Sequence, residues 1–147
     1  MPANLIAKAE TTINAPVVVV WDALLNPDMI KKYMFGTTVN SEWKKGSSIS
    51  WKGEWQGKAY EDKGEILDIA PQKKLSYSHF SPLSGLLDVR ENYHTVTIEL
   101  AQKDQQTYVS LTQDKNETEQ AKEHAQKNWE MMLTSMKKLL EEGSNKK

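Results

Sequence analysis

The stretch "NAPVVVVWDALLNPD", residues 14 to 28, holds four consecutive valines, and its reading decides the fold. Valine is β-branched and favours strands, so Val17 to Val20 could be the middle of a buried strand. The flanks argue otherwise. Asn14 can cap a helix with its side-chain oxygen, and Pro16 suits a first turn, where its missing N–H costs nothing. Val17, Val20, Trp21, Leu24 and Leu25 then fall at i, i+3, i+4, i+7 and i+8, one apolar stripe of a helix with Asp22 off it. Asn26-Pro27 ends it. The spacing predicts a helix of poor propensity, held by packing of its Val/Trp/Leu face.

Upstream, "LIAKAETTI" alternates Leu5, Ala7, Ala9 and Ile13 with Lys8, Glu10 and Thr12, the pattern of a strand with one buried face. Downstream, a short second helix is expected around Asp28 to Met34. Turn signals recur from Thr37 to Asp114, at Lys45-Gly46, Lys52-Gly53, Gly57, Pro71-Gln72, Ser84-Gly85 and Asp104-Gln105. Strand-like runs lie between them at "SSISWKG", "KAYEDKGEILDI", "KLSYSHF", "YHTVTIEL" and "TYVSLTQ". Consecutive strands with short links make an antiparallel meander rather than βαβ units. The last segment, about 117–142, is a long amphipathic helix. Asn116 and Glu119 stand at capping-box spacing, and Gly143 suits a C′ position. Its stripe runs through Ala121, Ala125, Trp129, Met132, Leu133, Met136, Leu139 and Leu140. The order is strand, two short helices, about six strands, one long helix. That is an α+β class: a curved antiparallel sheet wrapped around a long C-terminal helix. The valine helix closes one end. A single domain over 1–147 is expected, with 143–147 as a disordered tail.

The charge balance, 19 Lys+Arg against 20 Asp+Glu for a net of −1, gives no basic excess for nucleic acid. With no cysteine there is neither a disulfide framework nor a thiolate nucleophile or metal ligand. "MPANLIAKAE" lacks a long apolar run, so no signal peptide or membrane span is expected, and a cytoplasmic monomer is the default.

Several motifs together resemble the START-like (SRPBCC) superfamily, whose fold is the helix grip. "INAPVVVVWDALLNPDMIKKYMF" is similar to the opening of bacterial proteins related to the C-terminal domain of the Hsp90 ATPase activator Aha1. There an Ala-Pro precedes a helix bearing Val-Trp, and an Asn/Asp-Pro begins the next. "GEILDIAPQKKLSYS" resembles the family's strand–Pro–basic–Leu–strand hairpin, and "ENYHTVTIEL", "TYVSLTQDKN" and "NWEMMLTSMKKLLE" its last strands and long helix. The resemblance spans about residues 5 to 142 and implies a cavity between sheet and long helix. It also implies that some members catalyse reactions in that cavity. One departure stands out: many relatives carry an apolar residue near position 79, where this chain has His79.

The chemistry-bearing residues follow from the alternation. His79 shares a face with Leu75 and Tyr77, and His94 with Val96, Ile98 and Leu100, so both can point inward. A histidine satisfied by a neighbouring hydroxyl, or lying at the sheet rim, is the plainer reading; a ligand-facing polar group is the other. His124 belongs to the surface. No histidine pair has metal-ligand spacing, so neither metal nor cofactor is expected. Five Trp in 147 residues is a high count, and Trp43, Trp51 and Trp55 crowd one stretch. Cross-strand pairs account for part of the aromatic set; an aromatic-lined cavity accounts for the rest. Met132 and Met136 add adaptable wall, Met136 serving more as core. Glu42, Glu54, Glu61, Glu65 and Asp68 offer no catalytic pair, so no catalytic residue is assigned. The Leu83, Leu86 and Leu87 loop reads equally as a gate, a partner-binding patch or a segment folded back on the core.

The expected function is binding of a small lipophilic molecule, aromatic or acyl, in a stress or metabolite response. The expected walls are Trp51, Tyr77, His79, His94, Val96, Gln113, Trp129 and Met132. One alternative is a chaperone partner of the Hsp90 type. The resemblance implies that the activator also uses a separate N-terminal domain, which 147 residues leave no room for. The other is a small hydrolase or cyclase, which a base–acid pair inside the cavity would favour.

Overall fold

A computed structural model describes residues 5–34, 36–55, 57–81, 87–116 and 118–145. The elements in chain order are β1 (Leu5–Ile13), α1 (Val17–Leu25), α2 (Pro27–Tyr33), β2 (Thr38–Ser41), β3 (Ser48–Trp55), β4 (Lys58–Ala70) and β5 (Lys74–His79). A 3-10 turn at Arg90–Asn92 leads to β6 (His94–Lys103), β7 (Gln106–Asn116) and α3 (Glu119–Asn145). All seven strands form one antiparallel sheet in the order β1-β7-β6-β5-β4-β3-β2. Irregularities between Leu5 and Ala7 and between Ile66 and Asp68 bend β1 and β4. This is the helix-grip arrangement that the resemblance implies.

The valines are helical. Val20, Trp21, Ala23 and Leu24 are buried, whereas Val18 and Val19 face solvent. Burying such side chains contributes about 1.5–3 kcal/mol each, enough to outweigh a poor helix propensity. The cap differs from the expectation. Asn14 makes no side-chain cap, and Pro16 occupies the N-cap position. The Val17 N–H instead donates to Gln102 Oε1 on β6, at 2.7 Å. Thr107 Oγ1 on β7 donates to the Ala15 carbonyl at 2.8 Å, so the sheet itself secures the start of α1. Asn26 caps α2 through Asp28 N, 3.0 Å from its Oδ1. At α3, Asn116 ends β7, its amide donating to the Leu5 and Gln113 carbonyls. Thr118 supplies the cap, its hydroxyl accepting from Ala121 N at 3.0 Å. The helix also continues through Gly143 to Asn145 rather than stopping there. Lys52-Gly53, expected as a turn, lies inside β3.

One end of the sheet is anchored more heavily than the other. Ile13, Leu100, Val109 and Leu111 pack there with α1 and with Leu133, Met136 and Leu140 of α3. Lys137 Nζ bridges the Thr12 carbonyl (2.7 Å) and Glu141 Oε2 (2.6 Å), and that carboxylate also accepts from Asn14 N at 2.8 Å. Toward the opposite end α3 loosens. Ala121 is exposed, Ala125 and Trp129 are only partly buried, and its buried face begins at Met132.

Candidate functional site

The strand register places most of the predicted wall toward that second end, on the inner face. Tyr77 pairs with Ile66 on one side and Val96 on the other, and Val96 pairs with Gln113, so one line crosses four strands. His79 pairs with His94 on the neighbouring line. Trp51 reaches across β4 to both β5 rings, with centroids 5.1 Å from Tyr77 and 5.0 Å from His79. Trp51, Tyr77, Val96 and Met132 are buried; His79, His94, Gln113 and Trp129 are partly so. Trp129 comes down from α3 onto Gln113, its Nε1–H donating to Gln113 Oε1 at 2.5 Å. It is less buried than a mid-helix core tryptophan was expected to be. Among the described residues, Trp51 makes ring contacts with Tyr77 and His79 and none with Trp129. The strand of Trp51 (β3) and that of Gln113 (β7), the partner of Trp129, are separated by β4, β5 and β6, with Tyr77 and Val96 between.

The polar groups have definite partners. His79 Nε2 lies 2.9 Å from Asp62 Oδ2. A carboxylate oxygen only accepts, so Nε2 carries a proton and donates to it. His94 Nδ1 lies 2.8 Å from the Asp114 carbonyl, which only accepts, so Nδ1 carries a proton. Thr95 N donates to Asp114 Oδ1 at 2.6 Å and steadies that corner. Asp62 Oδ1 is buried with no partner among the described residues. The Tyr77 hydroxyl is pushed well above its ordinary pKa by burial and stays protonated. Tyr33 of α2 is displaced upward by burial and by the nearby Tyr77, and its hydroxyl donates to the Ala23 carbonyl at 2.9 Å.

Sequence reasoning missed Asp62. The signal was the alternation Asp62, Gly64, Ile66, which puts Asp62 on the buried face, together with the pairing of Trp51 opposite Asp62. A cleft of about 690 Å³ also occurs, but on the outer face, around Lys63, Glu65, Ser78, Asp88, Tyr93 and Thr95. It is therefore not the cavity expected between sheet and helix. There Asp88 is held below the ordinary carboxylate range by Lys63 and then by Tyr93, whose hydroxyl donates to it at 2.6 Å. Leu87 is exposed, whereas Leu83 and Leu86 lie outside the described residues. Among the described residues no group of three or more His, Cys, Asp or Glu is placed to hold a metal ion. No described helix is long and apolar enough to cross a membrane.

Comparison with known proteins extends this geometry. The family described as "Activator of Hsp90 ATPase homolog 1-like protein" matches residues 14–141. The chain belongs to this family. The solution structure of ChR145 from Cytophaga hutchinsonii is 56% identical, with 98% of each chain covered and a TM-score of 0.85. Two more distant likenesses concern the fold alone. One is the Aha1 dimer from Colwellia psychrerythraea, at 20% identity, 90% and 93% coverage and a TM-score of 0.70. The other is MLL2253 from Mesorhizobium loti, at 20% identity, 94% and 98% coverage and a TM-score of 0.76. No curated protein matches the chain. Membership in the Aha1-like family accounts for the fold.

Proposed function

We propose that this Aha1-like protein binds a small, largely apolar ligand on the inner face of the sheet, below the N-terminal half of α3. The observation that carries the reading is the line from Gln113 through Val96 to Tyr77, flanked by Trp129 at one end and Trp51 at the other. Aromatic walls bury apolar area at about 25 cal/mol per Å² and add about 0.5–1.5 kcal/mol per ring contact. The partial burial of Trp129 and the exposure of Ala121 favour entry at this end rather than beside α1. Titrating naphthalene-sized and acyl-chain compounds while following amide shifts and tryptophan emission tests the reading. Shifts concentrated at Trp51, Tyr77, Val96 and Trp129 are expected, and shifts confined to the surface would refute it.

A second reading is proton transfer on the bound compound. The His79–Asp62 pair at 2.9 Å favours it, since a carboxylate-oriented imidazole is a general base. Nucleophilic catalysis by the adjacent Ser78 is disfavoured, because alternation turns it to the outer face, where it lines the cleft, away from His79. Exchange of the α-protons of 2-tetralone in D₂O, accelerated by the protein and lost in His79→Ala, would place this reading first.

A further inference from the structure

We infer that the ligand carries a hydrogen-bond donor, and that Asp62 Oδ1 is the atom that receives it. This deepens the binding reading above and rests on it. The polar groups at this end bond one another and, among the described residues, leave one buried side-chain atom without a donor. His79 Nε2–H is spent on Asp62 Oδ2. His94 Nδ1–H is spent on the Asp114 carbonyl. Gln113 Oε1 accepts from Trp129 Nε1–H. Asp62 Oδ1 is buried and has no donor among the described residues. The Tyr77 hydroxyl, the Trp51 indole N–H and the Gln113 amide can still donate, but Asp62 Oδ1 is the buried side-chain atom that a donor must reach.

Asp62 and His79 also flank Trp51. Asp62 stands directly across from it on β4, and the His79 ring lies 5.0 Å from its ring in an edge-on contact. A flat apolar body resting on Trp51 and Tyr77 would bring a substituent at its edge to Asp62. A hydroxyl or N–H there would satisfy the carboxylate oxygen, whereas an ether or a bare ring edge would leave it buried and unpaired. The class that fits is a planar, neutral aromatic or conjugated molecule with a hydroxyl or ring N–H at its rim, rather than a plain hydrocarbon or fatty acyl chain. A fatty carboxylate fits worst, since its charge would face the Asp62 carboxylate.

The test pairs 2-naphthol with 2-methoxynaphthalene, which share the ring system but differ in the donor, titrated into the full chain and followed by amide shifts. The wild type is expected to bind 2-naphthol about tenfold more tightly, the discrimination available from a buried acceptor left unpaired by the wrong ligand. Asp62→Leu is expected to bring the two affinities within about twofold of each other. If that variant does not give a dispersed amide spectrum, Asp62→Asn, which replaces one acceptor oxygen by a donor, is expected to cut the ratio to about threefold or less. A merely structural role for Asp62 would weaken both probes together and leave their ratio unchanged, which overturns the inference. Equal affinity of the two probes for the wild type overturns it while the binding reading stands. If neither probe shifts Trp51, Tyr77 or Trp129, both fall.

Discussion

Gly64 is the residue on which the geometry of β4 and β5 depends most sharply. A Cβ built there would lie 1.7 Å from the Ser78 carbonyl oxygen and 2.6 Å from its carbon, both backbone atoms. Relief to the 3.0 Å that real Cβ contacts observe requires the two strands to part by about 1.3 Å, since no side-chain rotation can help. That movement would break the Lys63 N to Phe80 O bond (3.0 Å), its reciprocal Phe80 N to Lys63 O (2.8 Å) and the Glu65 N to Ser78 Oγ bond (2.9 Å). At about 1 kcal/mol net each, Gly64→Ala should cost about 3 kcal/mol. With a urea m-value of about 2 kcal/mol/M, the midpoint should fall by about 1.5 M. Gly46→Ala is the control. Gly46 has φ +87 and open space around it, so only backbone strain opposes the methyl group, at about 1 kcal/mol. A Gly64→Ala midpoint no lower than that of Gly46→Ala would refute the steric argument. Where the variant still folds, the Asp62–His79 bond should lengthen, and a shift of the His79 ring resonances would register it.

Other substitutions probe the remaining links. Gln102→Ala should cost about 1 kcal/mol in chemical denaturation by removing the acceptor that caps Val17 N, whereas Asn14→Ala, which deletes an amide with no capping bond, should stay within about 0.5 kcal/mol. Trp129→Phe should lose about 1 kcal/mol with the Gln113 bond, and Trp129→Ala should lose less than the 3–5 kcal/mol typical of a fully packed aromatic, measured the same way. Glu141 is held below the ordinary glutamate range by Lys137 and then by Asn14 N. Its folded pKa is depressed, so its contribution is present above the ordinary value of 4.5 and fades as pH falls through the folded value. Glu141→Gln should therefore flatten the acid limb of a stability–pH curve while leaving its slope near neutrality unchanged.

The features legible in the sequence are those set by neighbours in the chain. The α1 stripe at 3–4 spacing and the strict alternation Ala7, Ala9, Ile13 survive folding because periodicity alone assigns each side chain to a face. What escaped was set from a distance. The acceptor for α1 comes from Gln102, 85 residues away, so no local rule could prefer it to Asn14. β2 has only four residues and no alternating run of its own; pairing with β3 makes it a strand. Thr118 and Asn116 are both acceptable caps by residue type, and the choice fell to Thr118 because Asn116 is needed to tie β7 to Leu5. In the site, alternation correctly placed His79 and His94 on an inner face. It could not reveal that Asp62 bonds His79, because that contact depends on the register of β4 against β5.

The division of labour along the sheet gives these differences a common cause. At the α1 end, apolar residues from three helices and the sheet meet, and the polar atoms there, Thr107 Oγ1, Gln102 Oε1 and Glu141 Oε2, are spent on backbone partners of adjoining elements. Those bonds fix the angle at which α1 and the second half of α3 cross the strands. At the other end, α3 approaches through Trp129 and its single bond to Gln113, and the polar atoms bond one another while leaving Asp62 Oδ1 without a donor among the described residues. A buried acceptor without a donor destabilises the folded chain. The well-packed end offsets that cost, and a ligand bearing a donor would remove it. Strengthening the α1 end should therefore raise stability and leave the proposed 2-naphthol preference intact, whereas an internal donor to Asp62 Oδ1 should raise stability and remove that preference.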